Sequence, residues 1–264
     1  MRVLVTGAEG FIGKYVCDEL ELRGYQVVRY DKKSNPNHDL LYDNELNMKP
    51  FTIYCGAVIH LAALVGLHHC YDNPINAVHQ NLLATTRLLE TVKNSNVKFI
   101  YCSTWAVEGN LENPYDITKN AAEKMALHYF KHKGVHGSVI RFGTTYGKGM
   151  SQLGVIPSML SRAKDGKPLI IKGRGDQIRQ FTHASDIARG VVDVLEKGED
   201  GEIYTCVSDE VTSIKEIAEA VGGDIEYQEA RPADEDYKKL DNYKLRELGW
   251  EAKVKFKEGM EDMK

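Results

Sequence analysis

Through the first half of the chain, short runs with no polar face alternate with longer stretches whose apolar residues recur at helical spacing. Residues 3–5, Val-Leu-Val, are apolar in both side-chain directions, as a strand buried on both faces requires. From Phe11 onward, Phe11, Ile12, Tyr15, Val16 and Leu20 follow a helical period. Strand-like runs recur at 26–30, 38–41, 57–63, 97–102 and 137–141, and helices are expected over 74–92 and from Tyr115 on. Such alternation predicts an α/β fold on a doubly wound parallel sheet. After about residue 145 the pattern loosens. A helix is expected to start at 155–157, a short strand lies at 169–171, and a helix over 184–197 returns to the main sheet. Residues 204–207 are strand-like, 212–221 helical, and 243–248 a last short helix. The expected division is 1–145 with about 176–200 for the main sheet, and about 146–175 with 201–264 for a small mixed α/β cap.

The first strand runs into Thr6-Gly7-Ala8-Glu9-Gly10-Phe11-Ile12-Gly13, with glycines three apart where strand becomes helix. Gly7 suits a tight turn, Gly10 close approach to phosphate, and Gly13 a helix packed on a strand. The N–H groups at the helix start, with Phe11 and Ile12, can hold a pyrophosphate with the helix dipole. The spacing is GxxGxxG, whereas the usual dinucleotide fingerprint is GxGxxG. A bare turn therefore remains open until an acidic partner is found. Asp31 supplies it, 18 residues beyond Gly13 (31 − 13), at the end of the second apolar run. A carboxylate there can accept both ribose hydroxyls and repels a 2′-phosphate, so a Rossmann-type site for NAD is expected. Lys32 and Lys33 read as solvated loop charges, with tolerance of the extra phosphate as the other reading.

Asp39, with Leu40 beside it in the 38–41 run, is placed to accept from an adenine amino group, or is an exposed loop acid. Leu61, Ala62 and Ala63 end the fourth run with small residues that let backbone crowd against a ribose or nicotinamide. The fifth run delivers Ser103 and Thr104 at its carboxyl end, where ligands bind in such sheets. Tyr115 and Lys119, four apart, share one helix face. Holding a phenolate at pH 7 costs roughly 4 kcal/mol. A lysine cation one turn away and an oxidised nicotinamide lower that cost, making Tyr115 a usable base with Thr104 on the same substrate oxygen.

Composition narrows the class. The 264 residues carry 34 basic and 38 acidic side chains, net −4, with no basic block, which gives no case for nucleic acid or a membrane surface. Five scattered cysteines fit reduced thiols of a cytosolic protein. No signal peptide, lipidation motif or membrane-spanning run is read, so a cytoplasmic enzyme is expected. His68-His69-Cys70 has no second ligand pair, and no metal site is expected.

These residues resemble the extended short-chain dehydrogenase/reductase family, especially its NAD-dependent nucleotide-sugar epimerases and dehydratases, over nearly the whole chain. Thr6 to Gly13 matches its cofactor turn, His60-Leu61-Ala62-Ala63 its fourth-strand signature, and Asn81 with Ala84-Thr85 and Leu88-Leu89-Glu90 its helix motif. Thr104, Tyr115 and Lys119 match its catalytic triad. Residues 173–183, 186–188, 231–234 and 248–250 match its later motifs. The resemblance implies that Asn81 serves the cofactor, that Arg179 and Arg231 hold a sugar-nucleotide diphosphate, and that Asp234 lies near its ribose. Thr144 stands where a substrate-touching asparagine is common, and Gln180 where aspartate is common. Thr104 and Tyr115 are 11 apart (115 − 104), shorter than the usual loop, and Trp105-Ala106 replace the Asp-Glu of 4,6-dehydratases.

The resemblance thus implies an NAD-dependent epimerase acting on a UDP- or TDP-hexose at C4, working as a homodimer through the 74–92 and 115–131 helices. The alternatives are a dehydrogenase or ketosugar reductase with the same triad, and a non-enzymatic dinucleotide sensor, against which the intact triad argues.

Overall fold

In the computed structural model, which describes residues 1–40, 48–49, 51–52, 54–152, 154–229 and 239–263, Val3 and Val5 turn to one face of a sheet and Leu4 to the other. All three are fully buried, as their lack of a polar face demands. Their strand, β1 (Arg2–Thr6), leads into α1 (Phe11–Leu22) and β2 (Gln26–Tyr30). After β3 (Ala57–His60) come α2 (Leu67–Asp72), α3 (Pro74–Ala77), a π-helical segment (Val78–Leu83) and α4 (Ala84–Val92). Next are β4 (Lys98–Thr104), a 3₁₀ turn (Trp105–Glu108), α5 (Pro114–His132) and β5 (His136–Phe142).

The remaining elements are β6 (Thr144–Tyr146), α6 (Val155–Lys164), β7 (Leu169–Lys172), β8 (Ile178–Arg179), β9 (Phe181–His183), α7 (Ala184–Lys197) and β10 (Ile203–Cys206). β11 (Thr212–Ser213), α8 (Ile214–Val221), β12 (Ile225–Gln228), α9 (Tyr243–Glu247) and α10 (Phe256–Glu261) complete the described chain.

The main sheet has the order β2-β1-β3-β4-β5-β10, with every neighbouring pair parallel. The chain moves outward from β1 to β2 and then crosses back to β3, so a crevice opens at the carboxyl ends of β1 and β3. On one face Val5, Ile59, Ile100 and Ile140 pack with Val16 and Leu20 of α1 and Val191 of α7. On the other, Leu4, Phe99 and Tyr101 pack with Leu88 of α4 and Ala126 of α5. Each such side chain contributes about 1.5–3 kcal/mol on burial. A third core, including Tyr146, Met159, Phe181, Ile217 and Phe256, lies under the smaller sheets.

Several expectations change. The third strand expected at 38–41 does not form over its described part: His38 to Leu40 is irregular, and Leu41 lies outside the described residues. Local hydrogen bonds redirect the chain: Asp31 Oδ1 accepts from Lys33 N, Asn35 Oδ1 from Asn37 N, and Asn35 O from His38 N. The His38 ring then stacks on Tyr30, 4.4 Å between centres. The fourth run stays a strand only to His60. Ile203–Cys206, expected in the cap, is the edge strand of the main sheet beside β5. Thr212 and Ser213 form a two-residue strand before a helix whose capping box joins Ser213 and Glu216.

Two buried polar side chains fasten distant segments. Gln180 uses both ends of its amide: Nε2 donates to Ser208 O at 2.7 Å and Leu240 O at 3.3 Å, and Oε1 accepts from Leu240 N at 2.8 Å. An aspartate, which has no donor, cannot make that grip. Asp186, wholly buried, accepts from the backbone N–H groups of Lys253 (3.2 Å) and Val254 (3.0 Å) and pairs with Arg189. Asp186→Ala strands two backbone N–H groups in the interior and takes the carboxylate from the partly buried Arg189. The expected loss is about 3–5 kcal/mol in urea denaturation, the range for breaking one side of a buried pair.

Candidate active site

A groove of about 480 Å³ crosses the carboxyl ends of the central strands. Gly7, Gly10, Phe11, Ile12 and Gly13 line one stretch, Asp31, Asp39 and Leu40 one end, Leu61 to Ala63 the floor, and Tyr115 and Lys119 the other end. Side chains are excluded where backbones meet. Gly7 has φ +73°, and a Cβ there would lie 2.7 Å from Ala62 N, while one on Gly13 would lie 2.1 Å from Gly7 O. Helix α1 starts at this point with no side-chain cap and no acid in its first turn, which leaves its dipole open to an anion. Asp31 is fixed in place: Oδ2 accepts from Glu9 N at 3.0 Å and Oδ1 from Lys33 N at 2.9 Å. A cradle without Cβ atoms beside a helix start, with a carboxylate held beyond it, fits a dinucleotide. Lys32 reaches to 3.6 Å from Asp39, and Lys32, Lys33 and His38 also line this end.

At the opposite end three elements meet. Asn113 caps α5 through Asp116 N (3.1 Å) and Pro114 occupies its first position, so Tyr115 enters the helix in a fixed orientation. Burial first, then Asp116 and Cys70, together push the Tyr115 phenol up to about 12, against a hydrogen bond with Thr104 that lowers it. The phenol is thus neutral before any positive charge reaches it. Lys119 is buried, donates to Cys102 O at 2.7 Å and sits 4.4 Å from the Tyr101 ring centre. Burial draws its ammonium down to about 8, against the pull of Cys102 and Glu123. Thr104 also accepts from Ala106 N at 3.3 Å, capping the 3₁₀ turn and orienting its hydroxyl.

Asn81, expected at the cofactor, lies beneath the groove instead of on its wall. It is buried in the π-helical segment, where Oδ1 accepts from Leu64 N (2.7 Å) and Nδ2 donates to Leu64 O and Thr118 Oγ1 (both 3.1 Å). It clamps the loop after β3 to the helix bearing Tyr115. Next to it, Thr85 Oγ1 donates to Asn81 O at 2.7 Å, so it accepts from His60 Nε2 at 2.9 Å. His60 Nδ1 then accepts from Thr6 Oγ1 at 2.7 Å, and Thr6 Oγ1 accepts from Ala62 N at 3.3 Å. Every partner is assigned, and the imidazole is neutral.

Substrate-side expectations are less converged. Thr144 starts β6, paired with β9, and Arg179 ends β8, paired with β11, its Nη1 donating to Ile178 O. Arg231 and Asp234 lie outside the described residues. A separate cavity of about 330 Å³ is lined by Trp105, Glu108, Arg141, Thr205, Leu240 and Tyr243, none of them expected as a site residue. Among residues not expected in the groove are Cys102, Phe142, Gly149 and Ser151. All five cysteines are buried free thiols, and no described helix is long and apolar enough to cross a membrane.

Burial lowers the His60 pKa to about 3, with Lys119 adding to the effect. Below pH 6.5 the unfolded chain therefore binds a proton that the native protein excludes. This stabilisation is complete above that pH and is lost as pH falls toward 3. Urea denaturation should show about 2 kcal/mol lost between about pH 7 and 5 beyond the loss in His60→Gln.

Comparison with known proteins agrees with this geometry. A model of the NAD dependent epimerase/dehydratase family matches residues 3–206. The UDP-glucuronic acid decarboxylase 1 of Arabidopsis thaliana is 28% identical, over 100% of this chain and 69% of its own length. A trifunctional UDP-glucose 4,6-dehydratase/UDP-4-keto-6-deoxy-D-glucose 3,5-epimerase/UDP-4-keto-L-rhamnose-reductase of the same plant is 27% identical, and the chain spans 46% of its length. The Bacillus cereus UDP-glucuronic acid 4-epimerase, solved with UDP-glucuronic acid and NAD, superposes with a TM-score of 0.85 at 25% identity, covering 99% and 97% of the two chains. UDP-glucose 4-epimerase from Thermotoga maritima, with UDP-glucose, gives 0.86 at 26% identity and the same coverage. The chain belongs to the NAD-dependent epimerase/dehydratase family of extended short-chain dehydrogenases/reductases.

Proposed function

We propose that this protein is an NAD-dependent nucleotide-sugar epimerase acting on a UDP- or TDP-hexose, at C4. The observation that carries this reading is the meeting of Thr104, Tyr115 and Lys119 at one end of a groove whose other end is the glycine turn and Asp31. No acid follows Thr104, since Trp105 and Ala106 occupy the next positions, so a dehydratase is disfavoured.

Gly7, Gly10, Gly13 and the first turn of α1 would hold the NAD pyrophosphate, and Asp31 its adenosine ribose. When bound, NAD supplies a reversible hydride acceptor and a positive charge. Tyr115 takes the proton of the substrate hydroxyl; its raised pKa means that this base is generated only when that charge arrives. Thr104 donates to the same oxygen. Lys119, fixed on Cys102 O, lowers the cost of the phenolate and orients the nicotinamide ribose. Inversion needs the ketosugar to turn over in the site before Tyr115 returns the proton. Arg179, with Arg231, would hold the diphosphate by bidentate contacts; Asp234 near the nucleotide ribose and Thr144 at the sugar complete this reading.

The same proposal includes a homodimer, in which helices from 74–92 and 115–131 of two copies pack as a four-helix bundle. Exposed Val78, Leu83 and Ile117 lie on those segments. Its five buried thiols agree with a cytoplasmic setting.

The test is NMR of the purified protein with UDP-, TDP- and GDP-hexoses and UDP-glucuronic acid, with and without NAD, following sugar stereochemistry and NADH absorbance. Inversion without net NADH is expected. Stoichiometric NADH with an oxidised sugar would replace the epimerase by a dehydrogenase. Tyr115→Phe should lower turnover by about 10²- to 10⁴-fold while NAD still binds; substantial residual activity removes Tyr115 from its role. Light scattering should give twice 29.7 kDa, and a stable monomer rejects the dimer.

A further inference from the structure

Behind the groove, on the face of the sheet covered by α5, four polar side chains converge that have no place in the proposed chemistry. Tyr115, Lys119 and Glu123 recur every four residues along one side of α5. Glu123, nearly inaccessible, accepts from Ser103 Oγ at 2.6 Å, from Arg141 Nε at 3.0 Å and from Arg141 Nη2 at 2.5 Å. The remaining arm of Arg141, Nη1, pairs with Glu108, at the end of the 3₁₀ turn that Thr104 caps. One guanidinium on β5 therefore touches the catalytic helix and the turn, and through Ser103 the end of β4.

We propose that Arg141 is a positioning residue: by gripping Glu123 on α5 and Glu108 in the turn, it sets where the Thr104 hydroxyl meets the Tyr115 phenol. Three observations support this assignment beyond the pairing itself. The fork is planar and bidentate toward Glu123, which fixes its direction more tightly than a lysine would. Thr104 and Tyr115 lie only 11 positions apart, so a shift of the turn is felt at both ends of a short connection. The turn is tied to α5 by Asn120 Nδ2, which donates to Val107 O at 3.1 Å, and to β5 by Glu108, while Asn113 caps the start of α5. Glu108 is half exposed, and its ion pair is screened; the gain lies in where it holds the turn.

The inference rests on the reading of Tyr115 as the base, and the charges around the phenol give it a sign. Asp116 and Cys70 face the phenol and raise its pKa, and Thr104 lowers it by hydrogen bonding, while Lys119 shares its helix face. Removing the negative charge of Glu108 can act through space only downward on that pKa. Releasing Thr104 acts upward.

The test uses NAD-saturated protein labelled with ¹³C at the tyrosine ring. Tyr115 is assigned with Tyr115→Phe, and its ionisation is followed by NMR in wild type, Thr104→Val, Glu108→Ala and the double variant. Glu108→Ala should raise the Tyr115 midpoint nearly as far as Thr104→Val. The double variant should go no higher, because both act through one hydrogen bond. Hydrogen exchange on the same samples should show the amides of residues 105–108 exchanging about tenfold faster in Glu108→Ala, with those of α5 unchanged. A downward shift, additive shifts or unchanged exchange in the turn overturns the proposal. A wild-type Tyr115 that stays neutral throughout refutes the base itself, and the exchange comparison then decides the positioning claim alone.

Discussion

Backbone touches backbone where β1 ends, and the site depends on that contact. The Gly7 carbonyl lies where a Gly13 side chain would have to be, and the Gly7 α-carbon lies against Ala62. Three segments, the turn after β1, the first turn of α1 and the loop after β3, are thereby held closer than any side chain permits. The groove floor and the anion-facing helix start are two sides of that single contact. Replacing either glycine forces backbone apart, since no flexible side chain is there to yield.

The Tyr115 end of the groove is built on a different principle, polar side chains buried and fully engaged. Thr6, His60, Thr85, Asn81 and Thr118 run in a hydrogen-bonded series from the end of β1 to the start of α5, each with its partners assigned. Such a series is costly if any member is left open and stiff when all are closed. The π-helical segment fits this role: the inward turn of the Asn81 side chain lets it grip Leu64 and Thr118 together. Lys119 extends the arrangement, its ammonium held on a strand carbonyl while burial lowers its proton affinity.

What was legible in the sequence was local. The glycine turn and the Tyr115–Lys119 pair are encoded within a dozen residues, and Asp31 sits at the end of the next apolar run, so spacing alone placed them on one groove. Asn81 was visible only as part of a motif, because its function is to join a loop 17 residues before it to a helix 37 residues after it. The 38–41 run was read as a strand from its composition, but the Asp31 and Asn35 side chains turn the backbone first. Cys206 and its neighbours looked like the rest of the cap, and their pairing with β5 depends on where α7 delivers the chain. Glu123 and Arg141 carried no signal, since single charges on a helix and a strand are ordinary until they meet.

Asp186 carries a consequence for the order in which the molecule assembles. Its helix packs on the main sheet, yet the N–H groups that satisfy its carboxylate belong to residues 67 and 68 positions further along. While the chain emerges from a ribosome, every other part of that sheet has been made before those donors exist. Until then the nascent sheet must either leave Asp186 paired with Arg189 alone or leave α7 undocked. The 253–254 segment therefore acts as a clasp, coupling arrival of the chain beyond α9 to closure of the nucleotide-binding core.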